Sequence, residues 1–338
     1  MKISASIYSR ASRPLDEVVR ELEQLGIDFL HVDCNDDPRV FDDVARIRTM
    51  SRTPIDVHVI SPDPEKYFPL LEANRVESVA FQVETFRHPV KLPASNGQVG
   101  LALVVDTPIT AFQPYADACS FILIMTTTPG KSGGAFSPKA FAMIRQFQRR
   151  YPNKRVHVDG GVTSDVSFIL RNMGVYCAVS GSYLLRAESA PTALMRLRSR
   201  VARVERTDFK VSDFMLRRNE LPILSLAKAK NPRDILSTID GHRLGFCLIT
   251  GDQHRLEGVV TDGDIRRAVL TRLDELGALT SKDLINTNPI TVSAQSTLKE
   301  MLEAVTQHTR PIVFVPVVDE HRSLVGAISF ASLVRGEQ

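Results

Sequence analysis

Tryptophan is absent from the 338-residue chain, and its four cysteines (Cys34, Cys119, Cys177 and Cys247) are scattered with no CxxC pair. That spacing excludes a zinc ribbon and a disulfide framework and fits a reducing compartment, so the cytoplasm is the expected location. A net charge of only +3 creates no demand for a nucleic-acid or membrane partner, and neither is expected. No apolar run approaches the about 20 residues that a membrane-spanning helix needs. The opening MKISASIYSR lacks the apolar core of a signal peptide. What is present is ordinary for a globular protein: 43% hydrophobic and 24% charged residues. The length is too great for one ordinary core, and two domains are expected, 1–205 and 206–338.

The first half alternates short apolar runs with longer amphipathic ones. Eight runs read as strands: Lys2–Tyr8, Phe29–Cys34, Ile55–Ile60, Ser78–Glu84, Val99–Val105, Phe121–Met125, Arg155–Asp159 and Ala178–Ser182. Helical patterns lie between them, as at Leu15–Leu25 and Lys139–Arg149. Repeated strand-then-helix order implies parallel strands with right-handed crossovers. Eight such units suit a compact (β/α)8 barrel, so the fold class is α/β with a TIM barrel. Pro191 to Arg206 reads as a closing helix whose arginines form a solvated face.

Beyond it lies an internal repeat. Leu256–Arg267 matches Leu324–Arg335, with Gly258 against Gly326, Thr261 against Ser329 and Arg267 against Arg335. A β-rich run precedes each copy, Gly245–Thr250 and Ile312–Val318. Two copies with that layout predict two similar α/β modules packed together, about 210–272 and 280–338.

In a barrel, reactive groups sit at the C-terminal ends of strands. The second strand ends His31-Val-Asp33, the third Asp56-Val-His58 and the seventh His157-Val-Asp159. Members of each pair are spaced by two and share a face. Up to six His and Asp side chains are thereby expected at one mouth, a site for a divalent ion such as zinc, iron, manganese or cobalt. A lone histidine on a strand is usually a satisfied core residue, and an aspartate at a strand end is often a helix cap; three strands carrying such pairs together shift the reading towards function. Gly-rich turns follow the later strands: Gly130 and Gly133 in Met125-Thr-Thr-Thr-Pro-Gly-Lys-Ser-Gly-Gly-Ala-Phe136, then Asp159-Gly160-Gly161, then Gly181-Ser182. Such turns let backbone amides approach a phosphate. The GxxxxGK[ST] pattern of a nucleotide triphosphatase is not met.

Taken in order over Met1 to about Leu185, these stretches resemble ribulose-phosphate 3-epimerase. The resemblance implies that His31, Asp33, His58 and Asp159 bind the metal, and that Asp33 and Asp159 also act as the acid and base on opposite faces of a ketose phosphate. It places Ser6 in the lining of the site and the substrate phosphate near Gly160, Gly161, Gly181 and Ser182. The implied reaction inverts C3 of ribulose 5-phosphate, xylulose 5-phosphate or a related ketose phosphate. The sequence departs from the family pattern around the substrate: Asn35 and Ile60 stand where methionines are usual, Gln82-Val-Glu84 replaces HxE, and Val104-Val105 replaces Asn-Pro. Asp36-Asp-Pro-Arg39 replaces an Asp-Gly run, and Lys131 and Ser132 replace an aromatic residue and a glycine. A substrate other than ribulose 5-phosphate is therefore one expectation.

The second half resembles a tandem CBS pair, most closely the tail of arabinose 5-phosphate isomerases, through Val211-Ser-Asp-Phe-Met215 and Val260-Thr-Asp-Gly-Asp-Ile-Arg-Arg267. The resemblance implies that Thr261 and Asp264 hold the phosphate and ribose of an adenine or other nucleotide, that the chain forms a homo-oligomer, and that it serves surface-polysaccharide sugar synthesis. The second copy has Ser332 where that aspartate would stand. Two other functions compete. A decarboxylase of the orotidine-phosphate type needs Asp-x-Lys-x-x-Asp, which is missing after Asp33 and Asp56. A catalytically inactive regulator that only binds sugar phosphate remains the alternative.

Overall fold

The computed structural model describes residues 1–10, 12–93, 97–199, 209–307 and 312–330. The chain divides into two compact units, one within Met1–Arg206 and one within Thr207–Gly336. The division falls in 200–208, outside the described residues.

The first unit is a closed barrel of eight parallel strands in sequence order: β1 Lys2–Ser6, β2 Phe29–Cys34, β3 Ile55–Val59, β4 Ser78–Gln82, β5 Gln98–Val104, β6 Phe121–Met125, β7 Arg155–Asp159 and β8 Cys177–Ser180. β1 pairs with β8 and closes it. The strands are buried almost throughout, as expected when helices cover the outside and side chains fill the inside. The helices Leu15–Gln24 and Lys139–Arg150 show an apolar stripe, with Leu15, Val18, Val19 and Leu22 buried in the first and Phe141, Ile144 and Phe147 in the second.

Two crossovers differ from the sequence expectation. After β4 and β5 the described chain holds only 3-10 turns, Val83–Thr85 and Ile109–Tyr115. Proline supplies the reason for the second: Pro114 lies inside it and has no amide to donate to an α-helical ladder. The closing helix is also shorter than Pro191 to Arg206. It spans Ala190–Arg198, capped by the Ser189 hydroxyl, and ends as Ser199 turns extended; the remaining positions lie outside the described residues.

The strands of the second unit are β9 Leu216–Arg217, β10 Ile223–Ser225, β11 Phe246–Thr250, β12 Leu256–Thr261, β13 Val292–Ser293, β14 Phe314–Val318 and β15 Leu324–Ser329. They form two small sheets, ordered β10-β11-β12 and β13-β14-β15-β9. The sequence repeat reappears as register. Phe246 opposes Thr261 and Ile249 opposes Gly258, with a bulge before Thr250 opposes Leu256. In the other copy Phe314 opposes Ser329 and Val317 opposes Gly326, with a bulge before Val318 opposes Leu324. The two copies share one core, in which equivalent Phe246 and Phe314 stack with centroids 3.8 Å apart and planes 5° from parallel. Ser332 and Arg335 of the second copy lie outside the described residues.

The paired glycines have a shared cause. A Cβ on Gly258 would meet the carbonyl oxygen of Asn286 at 2.9 Å, and one on Gly326 would meet that of Leu216 at 2.5 Å. In each copy a neighbouring segment crosses the antiparallel hairpin too closely for a side chain. Gly326→Ala is therefore expected to lose about 1–3 kcal/mol of stability through forced backbone shifts. Gly277→Ala, where nothing lies within 4 Å, should stay within about 0.5 kcal/mol of the parent. Urea melts of the full chain read both.

Candidate metal and proton-transfer site

The C-terminal ends of β2, β3 and β7 bring His31, Asp33, His58 and Asp159 together, each offering one ligand atom within 4.8 Å of all the others. Register does part of this, since Asp33 lies beside His58 and His31 beside Asp56 on adjacent strands. His31 Nε2 is 3.4 Å from Asp33 Oδ1 and 3.7 Å from Asp159 Oδ2. His58 Nδ1 is 3.4 Å from the same Asp33 oxygen. His31 Nε2, Asp33 Oδ1 and His58 Nδ1 are buried and have no hydrogen-bond partner. Three converging polar atoms left bare in a buried site are costly unless something fills the space between them. Two imidazoles, which an arriving ion would deprotonate, and two carboxylates form a donor set suited to a divalent ion with N/O preference, so these residues fit a metal.

The surroundings orient the ligands. Ser4 Oγ donates to Asp56 Oδ1 at 2.6 Å, and Asp56 Oδ2 accepts from His31 Nδ1 at 2.8 Å. That bond fixes the His31 ring and turns Nε2 inward. Asp56 thus supports the cluster and does not join it. His157 does not join it either: it stacks between Phe121, at 4.1 Å, and Tyr176, at 5.5 Å. Of the six side chains expected at the mouth, four converge and two lie among supporting groups. Burial pushes His157 down to about 3, which keeps the ring neutral.

Electrostatics separate the two aspartates. For Asp33, burial acts to raise the carboxyl, but His31 and His58 override it and hold it far below the carboxylate range. For His31, burial acts to lower the ring, and the charges of Asp56 and Asp33 override it and hold the ring well above its ordinary value. Burial pushes Asp159 up to about 6, with His31 pulling it back and the Asp33 charge adding to the rise.

The glycine turns that follow the later strands are packed to different degrees. Gly160 packs against Thr126 and Thr127, whose loop is tied down where Thr126 Oγ1 donates to the Gly160 carbonyl at 2.5 Å. Gly161, at φ +61°, lies against the Phe136 backbone, and Gly181 lies against Ser9 and Ser6. Ser6 Oγ is 3.4 Å from Ser9 Oγ, which is 2.9 Å from Ser132 Oγ. Ser182 opens the one-turn α-helix Ser182–Leu185. Gly130 approaches the Asn35 amide, whereas a Cβ on Gly133, at φ +90°, would point into open space.

In the second unit a cleft of about 1030 Å3 is lined by Leu244, Val259, Thr261, Asp264 and Pro316 among others. Thr261 and Asp264 have a local role that sequence reading missed. Thr261 N donates to Asp264 Oδ2 at 2.9 Å while Asp264 N donates to Thr261 Oγ1 at 3.1 Å, a reciprocal cap on the helix Asp262–Thr271. Asp264 also pairs with Arg267. The T-x-x-D spacing carried that signal.

Fold and site together define a TIM barrel with a candidate divalent-metal site at the C-terminal ends of its strands. A model of the ribulose-phosphate 3 epimerase family matches residues 2–185, more than half of the chain, and a CBS domain model matches residues 281–337. The chain belongs to the ribulose-phosphate 3 epimerase family and carries a CBS domain C-terminal to it in sequence. The ribulose-phosphate 3-epimerase of Schizosaccharomyces pombe is 26% identical over 219 residues, covering 61% of this chain and 96% of the relative. That of Bacillus subtilis is 24% identical over 216 residues, covering 59% and 98%. Among solved structures, CBSX2, a CBS-pair protein from Arabidopsis thaliana, in complex with AMP is 22% identical with a TM-score of 0.32, covering 38% of this chain and 94% of that one. Among the described residues no helix is long and apolar enough to cross a membrane.

Proposed function

We propose that the protein is a metal-dependent epimerase that inverts C3 of a ketose phosphate by two-aspartate proton transfer through an enediolate. The observation that carries this reading is the His31, Asp33, His58 and Asp159 cluster with its bare, converging ligand atoms. A divalent ion held by these four residues would stabilise negative charge developing on the ketone oxygen, which makes the neighbouring C–H acidic enough to remove. Asp33 and Asp159 then serve as base and acid on the two faces of the sugar. One takes the proton from C3 and the other delivers a proton from the opposite side, and the roles exchange in the reverse direction. Asp56 holds His31 in place. Ser6 and the turns at Gly130, Gly133, Gly160, Gly161, Gly181 and Ser182 are assigned to the substrate and its phosphate.

The changed residues at the mouth, Asn35 and Ser132 among them, support a ketose phosphate other than ribulose 5-phosphate. The second unit is assigned to regulation, with a nucleotide in the cleft beside Thr261 and Asp264. Its ribose hydroxyls would replace contacts that Asp264 now makes with Thr261 and Arg267. Domain limits at 1–205 and 206–338, a homo-oligomer and a cytoplasmic location complete the proposal.

The test is to incubate the metal-loaded protein in D2O with ketose phosphates of five to seven carbons and follow deuterium entry at C3 by NMR. Exchange is expected with at least one member and should fall by about 100- to 10,000-fold in Asp159→Asn. Metal-loaded protein that exchanges none of them would favour the inactive, sugar-phosphate-binding regulator.

A further inference from the structure

We infer that Gln82 is a positioning residue that locks the tautomer of His58, and so aims one ligand lone pair, through a hydrogen-bond chain anchored on the backbone of Val104. The inference rests on the metal reading above, but its geometry stands separately. Gln82 ends β4, is 1% exposed and lies where the family pattern has a histidine. A buried amide needs partners for both ends. Here each partner is directional.

The chain starts at Val104, whose N–H donates to Glu84 Oε1 at 2.9 Å. The other Glu84 oxygen accepts from Gln82 Nε2. A carboxylate only accepts, so the amide NH2 must face Glu84 and the amide oxygen must face the other way. That oxygen, Gln82 Oε1, is 2.7 Å from His58 Nε2. An amide oxygen also only accepts, so the proton of the neutral ring belongs on Nε2. His58 Nδ1 is then a bare lone pair, and it is the atom that faces Asp33 Oδ1 at 3.4 Å with no partner of its own. Reversing the amide would set its oxygen against the Glu84 oxygen, two acceptors with no proton between them. The chain therefore has one self-consistent direction, and that direction frees the nitrogen that the cluster needs.

His31 reaches the same end by a charged route, through Asp56. Sequence alone marked position 82 as a departure from pattern; the structure shows the glutamine taking up an orienting task on this neighbouring strand.

The experiment uses the full chain with 15N-labelled histidine, stripped of metal, at about pH 8. Long-range 1H–15N spectra report the His58 tautomer, and Zn²⁺ titration against a competing chelator reports affinity. The parent protein is expected to carry the His58 proton on Nε2. Gln82→Leu should mix the tautomers and weaken Zn²⁺ binding by about 10- to 100-fold. The double variant Gln82→Glu/Glu84→Gln keeps every donor facing an acceptor, from Val104 to His58, and should restore both readouts, which mere packing at position 82 does not predict. A proton on His58 Nδ1 in the parent, or Gln82→Leu binding Zn²⁺ within about twofold of it, would overturn the inference. A parent that binds no Zn²⁺ but shows the Nε2–H tautomer would remove the metal reading and leave the positioning role standing.

Discussion

Asp33→Asn is expected to abolish both metal retention and isotope exchange, the largest effect of any single substitution in the barrel. Asp33 Oδ1 faces His31 Nε2 and His58 Nδ1 at the same 3.4 Å. It is the carboxylate oxygen that both ring nitrogens face. An amide there loses the charge and can turn its NH2 towards the two bare nitrogens, so that donor hydrogens occupy the space a cation would take. It also cannot accept or return a proton at C3. Removing the acid–base function alone costs about 100- to 10,000-fold, and losing the ion adds to that. Metal analysis of the purified variant beside C3 exchange in D2O checks both effects. A variant that keeps stoichiometric metal and the parent exchange rate would remove Asp33 from the site.

Phe246→Ala is expected to destabilise the second unit by about 3–5 kcal/mol, and Phe314→Ala by about the same amount. The two rings are equivalent residues of the repeat, stacked face to face at the centre of the core that both copies share. Phe246 is 1% exposed and Phe314 7%. Truncating either one leaves a cavity against its twin and strips packing from both copies at once. Denaturant unfolding of the full chain, followed by a probe specific to the second unit, should show its transition moving while the barrel transition stays. Unequal costs for the two variants would mean that the internal symmetry does not extend to energetics.

Much of the barrel was legible because buried parallel strands form short apolar runs that turns punctuate. Phe29–Cys34, Phe121–Met125 and Arg155–Asp159 were read with the bounds the structure shows. The Leu256 and Leu324 copies foretold matching registers, because residues that pack alike repeat alike. The 3-10 segment that stands in for a helix after β5 among the described residues was less legible, since apolar spacing alone does not weigh a proline such as Pro114 inside the run.

The sequence by itself determined which residue types could meet: a period of two puts His31 with Asp33, and Asp56 with His58, on common strand faces. Only the tertiary structure decided how far down the barrel each side chain lies. That depth depends on strand tilt and on register between strands distant in sequence. It gathers Asp159 with the ligands while placing His157 among aromatic rings, makes Asp56 the holder of His31, and brings Glu84 and the Val104 amide behind Gln82. Hydrogen-bond direction is likewise a property of neighbours in space, which no single strand encodes.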